Sequence, residues 1–363
     1  MLSFIRLLQC AFLYSLWAMG ASQNNNTEEV DFFVFIKNTD DVHNDDDHHE
    51  MWHRFAEFRR IFSKNYDSFR ELELRYHIFR ANMIDIVTHN AKTTSKFKLA
   101  MNHFTDLAND EFRVLNHLRG FAGLRSRHCS YFETSVTNDE LPDAVDWRAM
   151  GAVTEVKDQG QCGSCWTFSA TGAIEGAWAI SEQDLVDLSE QELVDCATGV
   201  KYGSHGCNGG QMDGAFGFVM ENGQCTSMAY PYVSGDTKTE STCMDSCNAY
   251  AKISGCYDVE PNNQVSLKTA VSMQPVAIAI EADSFYFQSY SSGILDSPKC
   301  GTQLDHGVLI VGYGEENGDL YWIVKNSWSD SWGDEGYVKI ARSESENDPG
   351  ICGIAMQPSF PVV

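Results

Sequence analysis

One cysteine of this chain has the surroundings of a nucleophile. Cys165 lies in the run Gln159-Gly160-Gln161-Cys162-Gly163-Ser164-Cys165-Trp166. A cysteine attacks a carbonyl carbon as the thiolate, and a free thiol with a pKa of about 8.5 is only about 0.03% ionised at pH 5. Small residues precede Cys165 and helix-compatible residues follow it. We therefore expect the sulfur on the first turn of a helix, where free N–H groups and the macrodipole favour the anion.

The same run contains a Cys-x-x-Cys pattern, which has two other chemical meanings. A redox dithiol would require a thioredoxin-like βαβ neighbourhood, which the flanking sequence lacks. A zinc ribbon would require a second Cys-x2-Cys, and the nearest candidate, Cys243-x3-Cys247, has the wrong spacing. The pattern therefore favours neither a redox dithiol nor a zinc site, and we expect no metal and no cofactor.

A histidine to serve as the base can be found by elimination. Only His205 and His306 follow Leu141. His205 lies in a glycine-rich loop and is interpreted as a surface residue, whereas His306 directly precedes the apolar strand 308–311. We therefore expect His306 to act with Cys165.

An antiparallel hairpin then identifies a partner for the imidazole. Asn317-Gly318 is typical of a tight hairpin turn between two apolar strands, 308–313 and 320–325. If paired residue numbers sum to about 633, His306 and Asn326 lie beside each other at the open end of the hairpin. The Asn326 amide can then orient the ring.

Two motifs now give a family resemblance. Cys162-Gly163-Ser164-Cys165-Trp166 matches the signature of papain and the cathepsins. Six residues upstream match the E-x3-R-x3-F-x2-N-x3-I-x3-N signature of cathepsin L-like prosegments: Glu71, Arg75, Phe79, Asn82, Ile86 and Asn90. From about Met51 to its end, the chain resembles the papain family of cysteine proteases, and most closely its cathepsin L-like branch.

The resemblance implies an α+β, papain-like two-lobed fold. A helical left lobe and an antiparallel, β-barrel-like right lobe would enclose a cleft, and a helical inhibitory prosegment would precede them. The strands read from the sequence in the second lobe agree with this: 276–280, 308–313, 320–325 and 337–341. In the family the prosegment passes through the cleft in the reverse of the substrate direction, which here implies residues 113–138.

The resemblance also implies roles for individual residues. Cys165 and His306 would form a thiolate–imidazolium pair; a thiol pKa near 4 would increase the nucleophile at pH 5 by about 10³-fold. Asn326 would orient His306, Trp328 would shield that contact from water, and Gln159 would donate to the oxyanion together with the Cys165 N–H. Ser329 departs from the glycine usual in the family.

Substrate-binding residues follow from the same comparison. Gly210, in Cys207-Asn208-Gly209-Gly210, would pair with the substrate backbone. The pocket for the substrate residue two before the cut (P2) would be lined by Met212, Ala279, Leu304, Gly307 and Gln357. Because this set holds no carboxylate, we expect a preference for Leu, Val or Phe over Arg at P2.

The twelve cysteines are expected to form a disulfide framework. The resemblance implies three pairs: Cys162 with Cys207, Cys196 with Cys243, and Cys300 with Cys352. With Cys165 free, three cysteines of the mature chain remain, and we expect Cys225 to pair with Cys247. Cys256 would then be free or joined to Cys129.

The domain organisation follows from composition. Residues 1–20 have an apolar run ending at Ala18-Met19-Gly20, as in a secretory signal peptide. Residues 21–50 are acidic and expected to be disordered. The prosegment proper would be 51–140, and 141–363 the peptidase domain, with a helical lobe at about 150–250 and a β lobe at about 251–345. Cleavage is expected at Glu140/Leu141.

Charge limits the possible partners. The chain has a net charge of −25, which argues against nucleic acid. Residues 141–363 hold 31 acidic and 10 basic side chains, whereas residues 51–140 hold 11 acidic and 14 basic. The slightly basic segment 51–140 is therefore suited to dock on the acidic segment 141–363. We expect protein and peptide substrates, the chain's own propeptide as inhibitor and, by resemblance, cystatin-type inhibitors. We expect a monomer in the secretory pathway, destined for a lysosome or vacuole or for the extracellular space, without a membrane span.

Histidines suggest how acidification could act. Nine of the eleven precede Leu141. We hypothesise that protonation loosens the prosegment, so that replacing His77, His89, His103 and His117 with Gln lowers the pH of autoprocessing. Histidines scattered on a polar surface remain an equal alternative.

Two competing functions were considered. The first is an aminopeptidase like cathepsin H, in which a disulfide-tethered prosegment remnant blocks part of the cleft; Cys129 could be the tether, but the receiving cysteine would be expected at Gln357. The second is a catalytically inactive homologue that binds or stores ligands. All four reacting positions are present, which disfavours it.

Overall fold

A computed structural model describes residues 45–116, 128–244 and 247–363. The expected signal peptide, most of the acidic segment and His117 lie outside these ranges. Among the described residues, no helix has both the length and the apolar character needed to cross a membrane. The helices are α1 Asp45–Ile61, α2 Phe69–Asn90, α3 Asn109–Leu115, α4 Cys165–Glu182, α5 Glu190–Cys196, α6 Met212–Asn222, α7 Ser234–Thr237, α8 Gln264–Met273 and α9 Phe285–Gln288.

Ten strands accompany the helices in residues 45–116, 128–244 and 247–363. They are β1 Phe97–Leu99, β2 Ser130–Tyr131, β3 Val145–Asp146, β4 Gly255–Asp258, β5 Val276–Ile280, β6 Tyr290–Leu295, β7 His306–Glu316, β8 Asp319–Lys325, β9 Tyr337–Ala341 and β10 Ser359–Val362. The sheet runs in the order β1-β6-β9-β8-β7-β5-β10-β4-β2, and β3 pairs with β7. Both end strands, β1 and β2, come from the expected prosegment.

Helix α1 starts earlier than the sequence indicated. It begins at Asp45, inside the segment expected to be disordered. A Glu50–Arg54 ion pair at 2.7 Å links neighbouring turns of this helix. Residues 45–50 therefore belong to the helix.

The signature residues of α2 hold the segment that follows it. Asn82 Nδ2 donates to the carbonyls of Thr105 and Leu107 at 2.8 and 3.0 Å. Asn90 donates to Leu99 O at 2.7 Å and accepts from Leu99 N at 3.0 Å. Arg75 pairs with Glu111 at 2.8 Å, closer than its 3.9 Å contact with Glu71. The motif thus fixes residues 97–111 against α2.

An aromatic cluster forms the core of this helical unit. Trp52, Phe55 and Phe58 of α1 pack against Tyr76 and Phe79 of α2, with ring centroids 5.0–5.5 Å apart across the two helices. All five side chains are buried. Burial of each aromatic or large aliphatic side chain stabilises the folded state by roughly 1.5–3 kcal/mol, so this cluster can stabilise the packing of α1 on α2.

The body of the molecule contains a helical part and a β part. Helix α4 packs against β7, α6 and α5. Ser169 of α4 donates to Val308 O at 2.6 Å, which fixes the helix against β7. The N-terminal end of α4 therefore meets the start of β7, where Cys165 and His306 lie.

The β7–β8 hairpin differs in register from the expected sum of 633. Glu316 pairs with Asp319 around the two-residue turn Asn317-Gly318, whose φ angles of 55° and 89° are both positive, as a type I′ turn requires. Paired numbers sum to 635 there and to 634 beyond an irregularity between Ile310 and Gly312. The expected sum was too low by one to two, because a two-residue turn at 317–318 sets the sum at 635 and the irregularity lowers it by only one.

Five disulfides join cysteines within the described parts of the chain. Cys162–Cys207, Cys196–Cys243 and Cys300–Cys352 form as expected, and so does Cys225–Cys247. The alternative left open for Cys256 is resolved, because it is joined to Cys129. Cys165 is the free cysteine of the described residues.

Candidate active site

Cys165 is the first residue of α4, and Ser164 is its N-cap. The Cys165 side chain is buried and forms no disulfide, because Cys162 is bonded to Cys207. Gly307 of β7 lies so close that a Cβ there would stand 3.2 Å from the Cys165 carbonyl. Glycine at 307 therefore lets β7 approach Cys165 closely, in agreement with the predicted position of Gly307 beside the P2 pocket.

His306 is held by Asn326. Its Nε2 lies 2.8 Å from Asn326 Oδ1, and the same oxygen accepts the Ser327 N–H at 2.8 Å. Because Oδ1 only accepts, Nε2 carries the ring hydrogen, and Nδ1 is left unprotonated in the neutral imidazole. Nδ1 has no hydrogen-bond partner among the described residues. The ring is thus set to receive a proton at Nδ1.

Trp328 covers this contact. Its indole stacks on the His306 ring with centroids 4.6 Å apart and an interplanar angle of 26°. Both side chains are almost completely buried. The indole therefore excludes water from the His306–Asn326 hydrogen bond, as the resemblance implied.

The expected ion pair is not favoured in this covered state. Burial raises the pKa of the Cys165 thiol to about 11, although backbone N–H groups of Gly307 and Trp166 oppose the shift. Burial also lowers the pKa of His306 to about 4. Desolvation penalises both charged forms here, and the expected thiol pKa near 4 stays a prediction for the enzyme without its prosegment. Both shifts favour the neutral forms of the two side chains.

Gln159 is anchored on both ends of its amide. Its Nε2 donates to Cys162 O at 2.9 Å, and its Oε1 accepts from Ser327 Oγ at 2.7 Å. The hydroxyl of Ser327 fixes which end of the amide is the donor. Sequence reasoning overlooked Ser327, although its place between Asn326 and Trp328 could have indicated it.

The N-terminal segment covers the Trp328 side of the site. Phe104 and Phe112 stand edge-on to the Trp328 indole, with centroid separations of 5.5 and 5.3 Å. Arg113 forms an ion pair with Asp283 at 2.9 Å, and Asn109 donates to the Asp283 carbonyl at 2.6 Å. These contacts hold residues 104–113 against Trp328 and Asp283.

A buried acidic group beside His306 was also missed. Asp305 accepts the Ala282 N–H at 2.7 Å. Burial raises the pKa of Asp305 to about 8, and the charges of Asp283 and Glu281 add to the shift, whereas Arg113 opposes it. The Asp305 carboxyl is therefore mainly protonated near neutral pH in this covered state.

The expected P2-pocket residues fall into one region. Met212, Ala279 and Leu304 belong to the same apolar cluster. Gly210 contacts the Trp166 ring, since a Cβ there would stand 2.5 Å from the indole. Gln357 donates to Gln211 Oε1 at 2.6 Å. His205 is exposed, as expected of a surface residue.

One group of side chains has the composition of a metal site. Glu192, Cys225 and Cys247 bring their ligand atoms within 4.8 Å of one another. The two sulfurs form a disulfide, so neither is available as a thiolate ligand.

Comparisons with known proteins agree with this geometry. Residues 141–362 match the model "Papain family cysteine protease", and residues 55–112 match "Cathepsin propeptide inhibitor domain (I29)". Cysteine proteinase RD21A of Arabidopsis thaliana is 47% identical over 304 residues; that match covers 83% of this chain and 63% of the relative, so the chain spans somewhat less than two thirds of that relative's length.

Two solved structures of precursors are similar over most of this chain. A recombinant stem bromelain precursor has 38% identity and a TM-score of 0.77, covering 86% of this chain and 99% of its own. The digestive procathepsin L 3 of Tenebrio molitor larval midgut has 39% identity and a TM-score of 0.76, with the same coverage. With a propeptide inhibitor domain packed against Trp328, the indole that stacks on His306, this chain belongs to the papain family of cysteine proteases.

Proposed function

We propose that the chain is the precursor of a cysteine endopeptidase that hydrolyses peptide bonds through Cys165 and His306. One observation carries the proposal: the free cysteine begins helix α4, where β7 brings in a histidine whose Nε2 is fixed by Asn326 at 2.8 Å. A nucleophile, a base and a group that orients the base are the parts that this chemistry requires.

The reaction begins when the prosegment leaves the cleft. Water and substrate then reach the pair, the desolvation penalty falls, and the Cys165 proton moves to His306 Nδ1. The thiolate attacks the scissile carbonyl, and the imidazolium donates its proton to the departing amine. Water, deprotonated by His306, hydrolyses the thioester and regenerates the thiol.

The oxyanion of each tetrahedral intermediate needs two donors. The Cys165 backbone N–H is one, since the first N–H groups of a helix have no partner within it. The Gln159 amide is the other, held with its nitrogen toward Cys162 by the Ser327 hydroxyl. Removal of one such donor typically costs about 10²- to 10³-fold in kcat.

The apolar cluster around Met212, Ala279 and Leu304 supports a preference for Leu, Val or Phe at P2. Gly307 leaves room beside it, and Gly210 offers its backbone to the substrate. A panel of peptides that differ only at P2 tests this preference. Faster cleavage of the peptide with Arg at P2 than of the peptide with Leu at P2 would contradict it.

Peptide hydrolysis by the processed chain tests the proposal directly. Cys165→Ser should abolish hydrolysis, and Gln159→Ala should lower kcat by about 10²-fold or more with a small change in KM. The matched control is Gln161→Ala, an exposed glutamine in the same loop. Full activity of Cys165→Ser would refute the proposal.

Blocked substrates separate this proposal from the aminopeptidase alternative. An endopeptidase cleaves peptides with acetylated N-termini, whereas an aminopeptidase requires the free amine. The prosegment disulfide is at Cys256, and Gln357 instead bonds Gln211, which does not support a tether at the expected place. The names of the relatives describe cysteine and thiol proteases.

The remaining expectations belong to the same proposal. The enzyme works as a monomer, takes protein and peptide substrates, is inhibited by its own prosegment and by cystatin-type inhibitors, and enters the secretory pathway through residues 1–20. Five disulfides support an oxidising compartment, either a lysosome or vacuole or the extracellular space.

A further inference from the structure

One disulfide crosses the boundary between the two parts of the precursor. Cys129 precedes the expected cleavage at Glu140/Leu141, and Cys256 lies in the peptidase domain on strand β4. Their Cα atoms are 4.7 Å apart. Cys129 also lies between the two matched family regions, since the propeptide match ends at residue 112 and the protease match begins at residue 141.

The count of cysteines explains why Cys256 needs this partner. Residues 141–363 contain ten cysteines, of which eight form four disulfides within the domain and one is the free Cys165. Cys256 is the odd one and is 4% exposed. Without Cys129 it would be a buried free thiol.

The residues after Cys129 are held on the peptidase domain by further contacts besides the disulfide. Strand β2 adds to β4 in parallel, with Ser130 opposite Tyr257. Phe132 N donates to Asp258 O at 2.8 Å, and the Phe132 ring stands edge-on to Phe360 at 5.1 Å. Residues 130–132 therefore form part of the body's sheet.

The residue before Cys129 is seated on the helical part. His128 Nε2 lies 2.9 Å from Lys201 O, and its ring centroid is 5.9 Å from that of Tyr202. Gly217 of α6 makes room for this ring, since a Cβ at 217 would stand 2.6 Å from His128 Cγ. Cys129 itself packs on the apolar cluster that includes Met212 and Ala279.

The chain beyond this anchor is open to cutting. Glu133, Ser135, Val136 and Glu140 are exposed. Lys268 holds Asn138 at 2.8 Å, and a short 3-10 turn spans Asn138–Glu140. Exposed loops of this kind are the usual sites of proteolysis. A cut at Glu140/Leu141 would leave Cys129 and the eleven residues after it attached through Cys256.

We propose that the Cys129–Cys256 disulfide retains a prosegment-derived light chain ending at Glu140 on the processed enzyme. This inference rests on the proposed protease function for the identity of the junction. A single cut at the junction leaves the whole prosegment tethered as an intramolecular inhibitor. Release then requires either a second cut before Cys129 or reduction of the disulfide.

The tether changes inhibition through effective concentration. A flexible or short tether holds a bound segment at an effective concentration on the order of mM. At 10 nM enzyme, taken as an assay condition, an untethered prosegment is about 10⁵-fold more dilute. Reduction restores that dilute state: a dithiol donates two electrons and two protons, the S–S bond becomes two thiols, and the dithiol closes to its own disulfide.

Intact mass of the processed enzyme tests the light chain. After acid activation of the full precursor, the non-reduced mass should exceed that of residues 141–363 by a peptide that contains residues 129–140. Dithiothreitol should split off that peptide alone, because the other four disulfides lie within the heavy chain. A non-reduced mass equal to residues 141–363 would overturn the proposal.

A second experiment separates the tether from catalysis. A recognition sequence for a site-specific protease is inserted after the exposed Val136 of the Cys165→Ser precursor, and the chain is cut at neutral pH. The two pieces should stay together under denaturing, non-reducing conditions and separate on reduction. This result does not depend on the chain's own activity, so loss of activity in the wild type would count against the proposed function alone.

The inhibitory effect is measured with the same insertion in the active chain. After the cut at neutral pH, hydrolysis of a blocked peptide at 10 nM enzyme should stay below a few per cent of the acid-activated value. The Cys129→Ser/Cys256→Ser double variant should instead gain activity on dilution, by at least about 10-fold. Equal activity of the two cut precursors would contradict the regulatory role. If the double variant does not fold, dithiothreitol treatment of the wild-type cut precursor provides the same comparison.

Discussion

Phe112 of the prosegment stands edge-on to Trp328 of the peptidase domain, with ring centroids 5.3 Å apart. The same indole stacks on the His306 imidazole, with ring centroids 4.6 Å apart. The tryptophan that shields His306 from water is therefore also the surface on which the inhibitor docks. Inhibition and protection of the histidine use the same aromatic side chain.

Truncation of Phe112 should weaken this docking. The side chain is fully buried, and loss of a buried Phe costs about 3–5 kcal/mol, which corresponds to about 10²-fold or more in the open fraction. Alkylation of Cys165 by iodoacetamide in the intact Phe112→Ala precursor at neutral pH should accelerate accordingly. Val114→Ala is the matched control, because Val114 lies on the same helix and is 66% exposed. Equal rates for the two variants would show that Phe112 does not close the site.

Processing should change the ionisation of Cys165. In the precursor burial raises the thiol pKa to about 11. Once the prosegment leaves, the helix N-terminus and a protonated His306 should bring it below about 5. Ultraviolet absorbance of the thiolate, with Cys165→Ser subtracted, should therefore titrate near pH 11 before processing and below pH 5 afterwards. The same pKa in both forms would mean that the prosegment does not control the nucleophile.

Several features of the site could be predicted from the sequence because they are local. The nucleophile at a helix N-terminus follows from small residues before Cys165 and helix formers after it. The hairpin predicted the His306–Asn326 contact correctly although the predicted strand register was wrong. A side-chain hydrogen bond tolerates a small shift in register, whereas the backbone pairing of two strands does not.

Other features depend on packing between distant segments and could not be predicted. The odd cysteine count left two states open for Cys256, and only the fold brings Cys129 within 4.7 Å of it. The pKa of Cys165 was expected to fall because its place at a helix N-terminus was considered without its burial, which raises the thiol pKa. Phe112 has no periodicity that would indicate Trp328 as its partner.

Ser329 offers a test of backbone strain. The family usually has Gly here, and Ser329 adopts φ 66°, in the left-handed region. A residue other than Gly in this region costs about 1 kcal/mol or more. Ser329→Gly should therefore raise the free energy of unfolding by about 1 kcal/mol, measured by urea denaturation of the inactive Cys165→Ser precursor. Ser331→Gly, at an exposed position without positive φ, should leave it unchanged or lower it, and a lower stability of Ser329→Gly would contradict the strain.

Two of the prosegment histidines have the environment that the acid hypothesis requires. Burial lowers the pKa of His103 to about 4, and Lys64 adds to the shift. Burial also lowers the pKa of His89, with Lys92 and Lys98 in the same direction and the Phe97 carbonyl and Asp296 opposed. A lowered folded pKa means that the unfolded segment binds more protons. Stability is therefore complete above about pH 6.5 and is lost as the pH falls toward about 4 for His103.

Replacing both residues should shift activation to lower pH. The His89→Gln/His103→Gln precursor should need a more acidic buffer for half-maximal autoprocessing, because neutral amides do not gain a proton. His77→Gln is the matched control, since His77 is exposed on the same helix as His89. Gel densitometry across a pH series gives the midpoints. An unchanged midpoint for the double variant would remove these histidines from the acid response.

Ser327 should act on the reaction through Gln159 alone. Its hydroxyl donates to Gln159 Oε1 at 2.7 Å and so keeps Nε2 as the donor that faces Cys162 and the oxyanion. Ser327→Ala should lower kcat by about 10-fold, less than Gln159→Ala, because the amide can still sample the correct orientation. The Ser327→Ala/Gln159→Ala double variant should then be no slower than Gln159→Ala, since the hydroxyl has nothing left to orient. Losses that multiply in the double variant would mean that Ser327 stabilises the transition state by a separate route.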